Sequence, residues 1–156
     1  MRLHICAVGR LRAGPERALV DDYLIRCERT GRAFNLGPVL VHEVEDRKGG
    51  GRSAEEPLLT RSVPEGAVVC TLDERGRQLS SPEFAALLAG WRDSGLQDAA
   101  FVIGGADGIA PALRDTATAS LSFGRLVWPH LLARVMLAEQ LYRAATILAG
   151  LPYHRV

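Results

Sequence analysis

The sequence predicts an α/β fold: a mostly parallel sheet with helices on both faces. Short apolar runs and amphipathic segments alternate along the chain, strand then helix, five times over. The runs Ala67–Leu72 and Ala99–Ile103 read as strands buried on both sides. Proline and glycine stand at the joints between the two kinds of segment.

Arg2–Val8 is apolar and bounded by Gly9, which suits a strand opening the fold. Gly14-Pro15 then punctuates, with Pro15 suited to a first helical turn. From Glu16 to about Thr30, Leu19, Tyr23 and Cys27 recur at four-residue spacing, the mark of an amphipathic helix. Val39–Val44 reads as a second strand. Glu45–Ser53, polar and centred on Gly49-Gly50-Gly51, reads as a flexible loop, and Ala54–Ser62 as a short helix interrupted by Pro57. Ala67–Leu72 follows the Pro64-Glu65-Gly66 turn. A helix then starts with Ser81 as cap and Pro82 at its first position and runs to about Trp91. After the strand Ala99–Ile103, Pro111 starts a helix through Thr118, and Leu121–Phe123 forms a short strand. Pro129 opens a long helix from His130 to about Ala149, whose stripe Leu131, Val135, Ala138, Leu141, Tyr142, Ala145 and Leu148 faces the core. Gly150 and Pro152 stop it.

A chain of 156 residues with no internal repeat and no dividing linker is expected to form one domain, 1–156. A hydrophobic fraction of 47% and a charged fraction of 24% exclude a disordered chain. No apolar run is long enough to cross a bilayer, and the N-terminus carries no signal-peptide cleavage pattern, so no membrane association and a cytoplasmic location are expected. Cys6, Cys27 and Cys70 are widely spaced in apolar surroundings and predict buried free thiols. No metal-ligand spacing occurs. The net charge of +1 gives no global basic field, and Lys48 is the only lysine among many arginines. Charge thus leaves RNA binding open without arguing for it.

Three constellations could carry chemistry. In Phe101–Gly108 a buried strand runs into the glycine-rich turn Gly104-Gly105-Ala106-Asp107-Gly108. Such turns lie at the carboxyl ends of strands, where ligands bind, and they also serve as tight structural turns. The spacing is not that of a dinucleotide or P-loop motif, which disfavours a nucleotide-dependent oxidoreductase. In Leu121–His130, apolar residues surround Gly124 directly before a helix. The segment is either a hydrophobic connection or a loop offering backbone groups to an adenine edge between Leu126 and Trp128. The tail Tyr153-His154-Arg155 combines a phenol, an imidazole and a guanidinium, suited to proton transfer, stacking and phosphate contact, although termini are usually inert. Glu139 and Arg143, four apart, read as an intrahelical ion pair. Asp73-Glu74-Arg75-Gly76-Arg77 reads as a turn, or as arginines beside a polyanion. His4 and His42 read as satisfied core or edge residues, and His130 stands at a helix start.

Taken together, Val8-Gly9-Arg10-Leu11, Val69–Ser81, Phe101–Gly108, Leu121–His130, Ala133–Ala144 and Pro152-Tyr153-His154-Arg155 resemble the small bacterial 23S rRNA (pseudouridine-N3)-methyltransferases of the SPOUT class. The resemblance spans essentially the whole chain and is densest after Thr71. It implies a SPOUT-type α/β fold whose C-terminal part threads a trefoil knot, which periodicity alone could not show. It also implies S-adenosyl-L-methionine as cofactor, a homodimer in which each cofactor pocket is completed by the partner, and 23S rRNA within the ribosome as substrate. Carried over by position, the cofactor contacts fall on Leu72, Gly104 and the loop Phe123, Gly124, Arg125, Leu126, Val127 and Trp128, with Gly105 beside them. His154 and Tyr153 become the catalytic pair, and Arg155 and Arg134 the RNA contacts. The chain departs from the family at Asp46–Ser62, where the glycine triplet and Pro57 replace a more continuous charged helix, a change expected to touch RNA contacts and not the cofactor site. Gly124-Arg125 is an unusual filling of the cofactor loop, with Arg125 directed to cofactor or to substrate. A SPOUT methyltransferase acting on transfer RNA and a non-catalytic RNA-binding module are the competing readings.

Overall fold

A computed structural model describes residues 1–154. Five strands, β1 (Arg2–Val8), β2 (Val39–Val44), β3 (Val68–Arg77), β4 (Asp98–Ile103) and β5 (Ala119–Leu121), form one sheet in the order β2-β1-β4-β3-β5. Every pairing is parallel. Parallel neighbours require crossovers, and the helices α1 (Pro15–Gly31), α2 (Arg52–Ser62), α3 (Ser81–Asp93), α4 (Pro111–Thr116) and α5 (His130–Leu148) stand between or after the strands as expected.

The side-chain period of two sorts the core into two layers. Leu3, Ile5, Ala7, Cys70 and Phe101 meet Cys27 of α1, Phe84 and Leu88 of α3, and Leu137 and Leu141 of α5. On the other face, Cys6, Val8, Ala100 and Val102 meet Leu59 of α2 and Leu113 of α4. The central strand β4 is buried along its whole length, which is why it reads as an unbroken apolar run. Cys6, Cys27 and Cys70 are free and buried, and burial pushes the Cys27 and Cys70 thiols up to about 12, far from the reactive range.

Several element boundaries differ from the sequence expectation: α2 begins at Arg52, not Ala54, α4 ends at Thr116, not Thr118, and α3, β5 and β3 differ as well. The cap of α3 is Ser80, not Ser81: its hydroxyl accepts from the Glu83 N–H while Glu83 accepts from the Ser80 N–H at 2.7 Å, a complete capping box. β5 ends at Leu121 instead of beginning there. The chain leaves the sheet because Ser122 Oγ donates to the Gly124 carbonyl and accepts from the Gly124 N–H, with Gly124 at φ 112°. β3 does not stop at Leu72 but continues to Arg77, pairing with Leu121 at both Leu72 and Arg77 across a register shift. The intervening Asp73–Gly76 is therefore lifted out of the ladder as a bulge at the carboxyl end of the sheet.

Candidate active site

At the carboxyl ends of β3, β4 and β5 the strands open into a cavity of about 310 Å3. Leu72 and Ile103, the last pocket-facing residues before the bulge and the turn, supply its floor. The turn Gly104–Ile109 and the loop Ser122–Trp128 supply two walls. Of the nine residues carried over as cofactor contacts, Leu72, Gly104, Gly105, Phe123, Gly124, Leu126, Val127 and Trp128 line this one space. Arg125 does not line it; its side chain is exposed.

The glycine turn is both structural and cavity-lining. Gly105 and Gly108 form a bridge, the Gly108 N–H donating to the Gly105 carbonyl at 3.1 Å with Gly108 at φ 76°. A Cβ on Gly104 would stand 2.4 Å from the Gly108 carbonyl oxygen, so only glycine lets the turn close. A Cβ on Gly105 would stand 2.6 Å from Glu55 Oε1, because α2 packs against this turn. Arg52 of α2 also lines the cavity. The segment Asp46–Ser62, expected to leave the cofactor site untouched, thus forms part of its rim.

The rim carries carboxylates and guanidinium groups together: Asp73, Glu74 and Asp107 beside Arg52, Arg75 and Arg114. Arg114 stands 4.0 Å from Asp73 Oδ2. The opposite wall is apolar and open, with Leu126, Val127 and Trp128 at 72%, 87% and 40% exposure. A close-approach glycine cradle, an apolar wall and a zwitterionic rim fit a cofactor made of a flat base, a sugar and an amino acid. Arg52 and Arg114 enter this site from the structure alone. Asp107 and His130 belong to segments already marked in the sequence, and Asp73–Arg77 stood there as a charged cluster behind a strand.

Arg134 requires a correction. It is fully buried, not an RNA contact: its guanidinium donates to Glu43 Oε1 at 2.8 Å and to the carbonyls of Val8 and Gly9, each at 3.0 Å. Burial lowers its pKa while Glu43 opposes that shift. Glu43 Oε1 also accepts from the Leu11 N–H at 2.8 Å. Together the pair ties the first turns of α5 to the segment Val8-Gly9-Arg10-Leu11. His130 sits in the same corner, its Nε2 3.6 Å from where a Gly9 Cβ would be.

The tail folds back on α5. The Tyr153 hydroxyl donates to Glu139 Oε1 at 3.1 Å, its ring lies 4.5 Å from that of Tyr142, and the Arg143 guanidinium stands 4.9 Å from its centre. Burial first, then the neighbouring Tyr23 and Glu139, raises the Tyr153 hydroxyl above its ordinary value, so it stays protonated. His154 is half-buried with Nδ1 sealed and unpartnered. Arg155, the other expected RNA contact, lies outside the described residues. The residues lining the 310 Å3 cavity do not include Tyr153 or His154.

A second cavity of about 490 Å3 lies among α1, α3 and α5 and shares Leu121, Ser122, Phe123 and Gly124 with the first. It is larger, but the Gly104–Gly108 turn, Leu72 and Ile103 do not line it, and of the nine expected cofactor contacts it holds only Phe123 and Gly124. Among the described residues no cluster of metal-ligating side chains occurs, and no helix is long and apolar enough to cross a membrane.

Comparison with known proteins is consistent across the chain. Residues 1–154 match the family described as "Predicted SPOUT methyltransferase". Three relatives carry the name ribosomal RNA large subunit methyltransferase H. The one from Ruegeria pomeroyi is 69% identical, that from Dinoroseobacter shibae 68% and that from Cereibacter sphaeroides 69%, each over 156 residues covering 100% of both chains.

Proposed function

The chain belongs to the SPOUT methyltransferase family, and from that premise we propose that it transfers a methyl group from S-adenosylmethionine to N3 of a pseudouridine in 23S rRNA. The observation that carries this reading is the convergence of Leu72, the Gly104–Gly108 turn and the Phe123–Trp128 loop on one cavity. Segments far apart in the chain meet where an open α/β sheet binds its ligands. The named relatives act on large-subunit ribosomal RNA, which sets the substrate class. The knotted threading of the C-terminal part, the homodimer and a cytoplasmic location belong to the same proposal.

Bound here, the cofactor supplies a methyl group on a sulfonium, already activated toward a nucleophile. The protein's share is positioning. Leu126 and Trp128 would cover the faces of a bound adenine, and backbone groups of the loop would be available to its edge. Gly104 and Gly105 would meet the ligand with main chain from the cavity side, the space beyond their Cα atoms being filled by the Gly108 carbonyl and Glu55. The substrate nitrogen must lose its proton before it can attack, and His154 is the proton acceptor. Its Nδ1 is sealed, which leaves Nε2 to face the base. Tyr153, whose hydroxyl is engaged by Glu139, anchors the tail, and Arg155 meets phosphate.

Tyr153 and His154 do not line the cavity of their own subunit, which supports a homodimer in which the partner's tail completes each site. The exposed apolar side chains Leu126, Val127 and Leu132 support that surface. The test is methyl transfer from labelled S-adenosylmethionine to ribosomes from a strain lacking this gene, with mass-spectrometric mapping. A methylated pseudouridine in 23S RNA is expected. Cofactor binding without transfer to ribosomes would redirect the search to transfer RNA, and no cofactor binding would leave an RNA-binding module.

A further inference from the structure

One carboxylate of α5 takes the hydrogen bond from the Tyr153 side chain in the tail. Glu139 Oε1 accepts from the Tyr153 hydroxyl at 3.1 Å and from Arg143 Nε at 2.9 Å, and Glu139 Oε2 accepts from the Gln140 amide at 2.7 Å. Gln140 Oε1 accepts in turn from the Ser81 hydroxyl at 2.8 Å, at the first turn of α3. A hydrogen-bonded line thus runs from α3 through two adjacent residues of α5 to the tail. An ordinary intrahelical ion pair needs neither end of that line. Arg143 has a second task as well, since its guanidinium lies over the Tyr153 ring while Tyr142 packs beside it.

We propose that Glu139 is a positioning residue for methyl transfer, fixing the C-terminal tail on α5 through Tyr153 so that His154 meets the substrate base in one geometry. This rests on the reading of the chain as an rRNA methyltransferase whose tail works at the transfer site. A terminus released by Gly150, at φ 67°, and by Pro152 would ordinarily fray. Proton removal from a base held for in-line attack needs its acceptor placed in advance, and ordering the tail before substrate arrives removes that cost from the reaction. Glu139 is well suited to the task. Its side chain is 17% exposed and that of Arg143 26%, so the pair is partly withdrawn from water and the carboxylate keeps one orientation. Burial first raises the hydroxyl it holds above its ordinary value, so the phenol remains a donor across the neutral range. Glu139, Gln140 and Ser81 also line the 490 Å3 cavity, whose opposite wall is the Leu121–Gly124 segment of the cofactor loop. The clamp is therefore built into the same layer that shapes the cofactor site.

The experiment is single-turnover methyl transfer to unmodified ribosomes by the wild type, Tyr153→Phe, Glu139→Ala, Glu139→Gln and the double variant Glu139→Ala/Tyr153→Phe. S-adenosylmethionine affinity is measured alongside by calorimetry. Tyr153→Phe, which preserves ring packing and foldedness, is expected to slow transfer at saturating cofactor by roughly tenfold, and Glu139→Ala by at least as much. The double variant is expected to be no slower than Glu139→Ala, because Glu139→Ala already removes the bond that Tyr153→Phe breaks. Glu139→Gln, which keeps an acceptor for the phenol, should recover part of the rate, and cofactor affinity should hold throughout. An active wild type with equally active single variants, or losses that multiply in the double variant, would overturn the inference alone. A wild type inactive on ribosomes would overturn the functional reading and this inference with it.

Discussion

Gly76 and Leu121 are in backbone contact: a Cβ on Gly76 would lie 2.5 Å from the Leu121 carbonyl carbon. That approach lets β3 return to β5 after the Asp73–Gly76 bulge, and it sets where the cofactor loop departs from the sheet. Gly76→Ala is expected to destabilise the fold by about 1–3 kcal/mol, since backbone and not a flexible side chain must give way. It should also weaken cofactor binding, because Leu121 carries the loop that follows. Thermal unfolding and calorimetry read the two effects; an unchanged melting temperature would mean that the two strands can part without cost.

Gly104→Ala tests the turn against a control in the same chain. Its Cβ would meet the Gly108 carbonyl oxygen at 2.4 Å, whereas a Cβ on Gly90, inside α3, meets nothing within 4 Å. Gly90→Ala should stabilise by about 0.5–1 kcal/mol through helix propensity. Gly104→Ala should open the turn and reduce cofactor affinity by roughly tenfold or more, as a displaced wall in a closely fitted site would. Equal cofactor affinity in the two variants would remove the turn from the binding site.

Much of this was legible in the sequence because the signals were local. The buried strands, the proline-started helices and the apolar loop follow from runs, caps and breakers within a few residues. What escaped depends on non-local contact. Arg134 looks like any helix arginine until Glu43 and the carbonyls of Val8 and Gly9 are brought around it. The continuation of β3 to Arg77 exists only because β5 pairs with it on both sides of the bulge. The entry of Arg52 into the pocket rim depends on how α2 crosses the sheet, which no periodicity reports. The Ser80 cap is the exception: Glu83 three residues on marked it, and the adjacent Ser81-Pro82 pair drew attention away.

Arg134→Met separates a structural arginine from an RNA contact. Its removal leaves Glu43 and the Val8 and Gly9 carbonyls short of a donor in the interior, and breaking a buried ion pair on one side costs about 3–5 kcal/mol. Urea unfolding should show that loss. A surface phosphate contact would behave in the opposite way, with stability unchanged and ribosome binding weakened.

Acid should weaken the fold in two stages, through a cluster centred on the amino-terminal ends of β1 and β4, opposite the strand ends that floor the cavity. Arg2 makes a bidentate pair with Asp98 at 2.7 Å, Asp98 Oδ1 lies 2.8 Å from His4 Nε2, and His4 Nδ1 lies 3.0 Å from His42 Nε2. Burial, then the nearby His4, holds the His42 pKa below its ordinary 6.5, so the unfolded chain binds more protons there and stability falls as pH drops through that window. The Arg2 guanidinium, with His4, holds Asp98 below its ordinary 3.8, so its contribution is present above that value and is lost as pH falls through the folded pKa. Both groups act with the same sign. Urea unfolding at a series of pH values from 7 to about 3 should therefore show one loss beginning near 6.5 and another in the carboxylate range. His42→Gln, which keeps a donor for His4 but does not titrate, should remove the first loss and leave the second, with cofactor affinity unchanged in the folded range. Stability that rises on mild acidification would mean that His42 gains a proton on folding instead of resisting one.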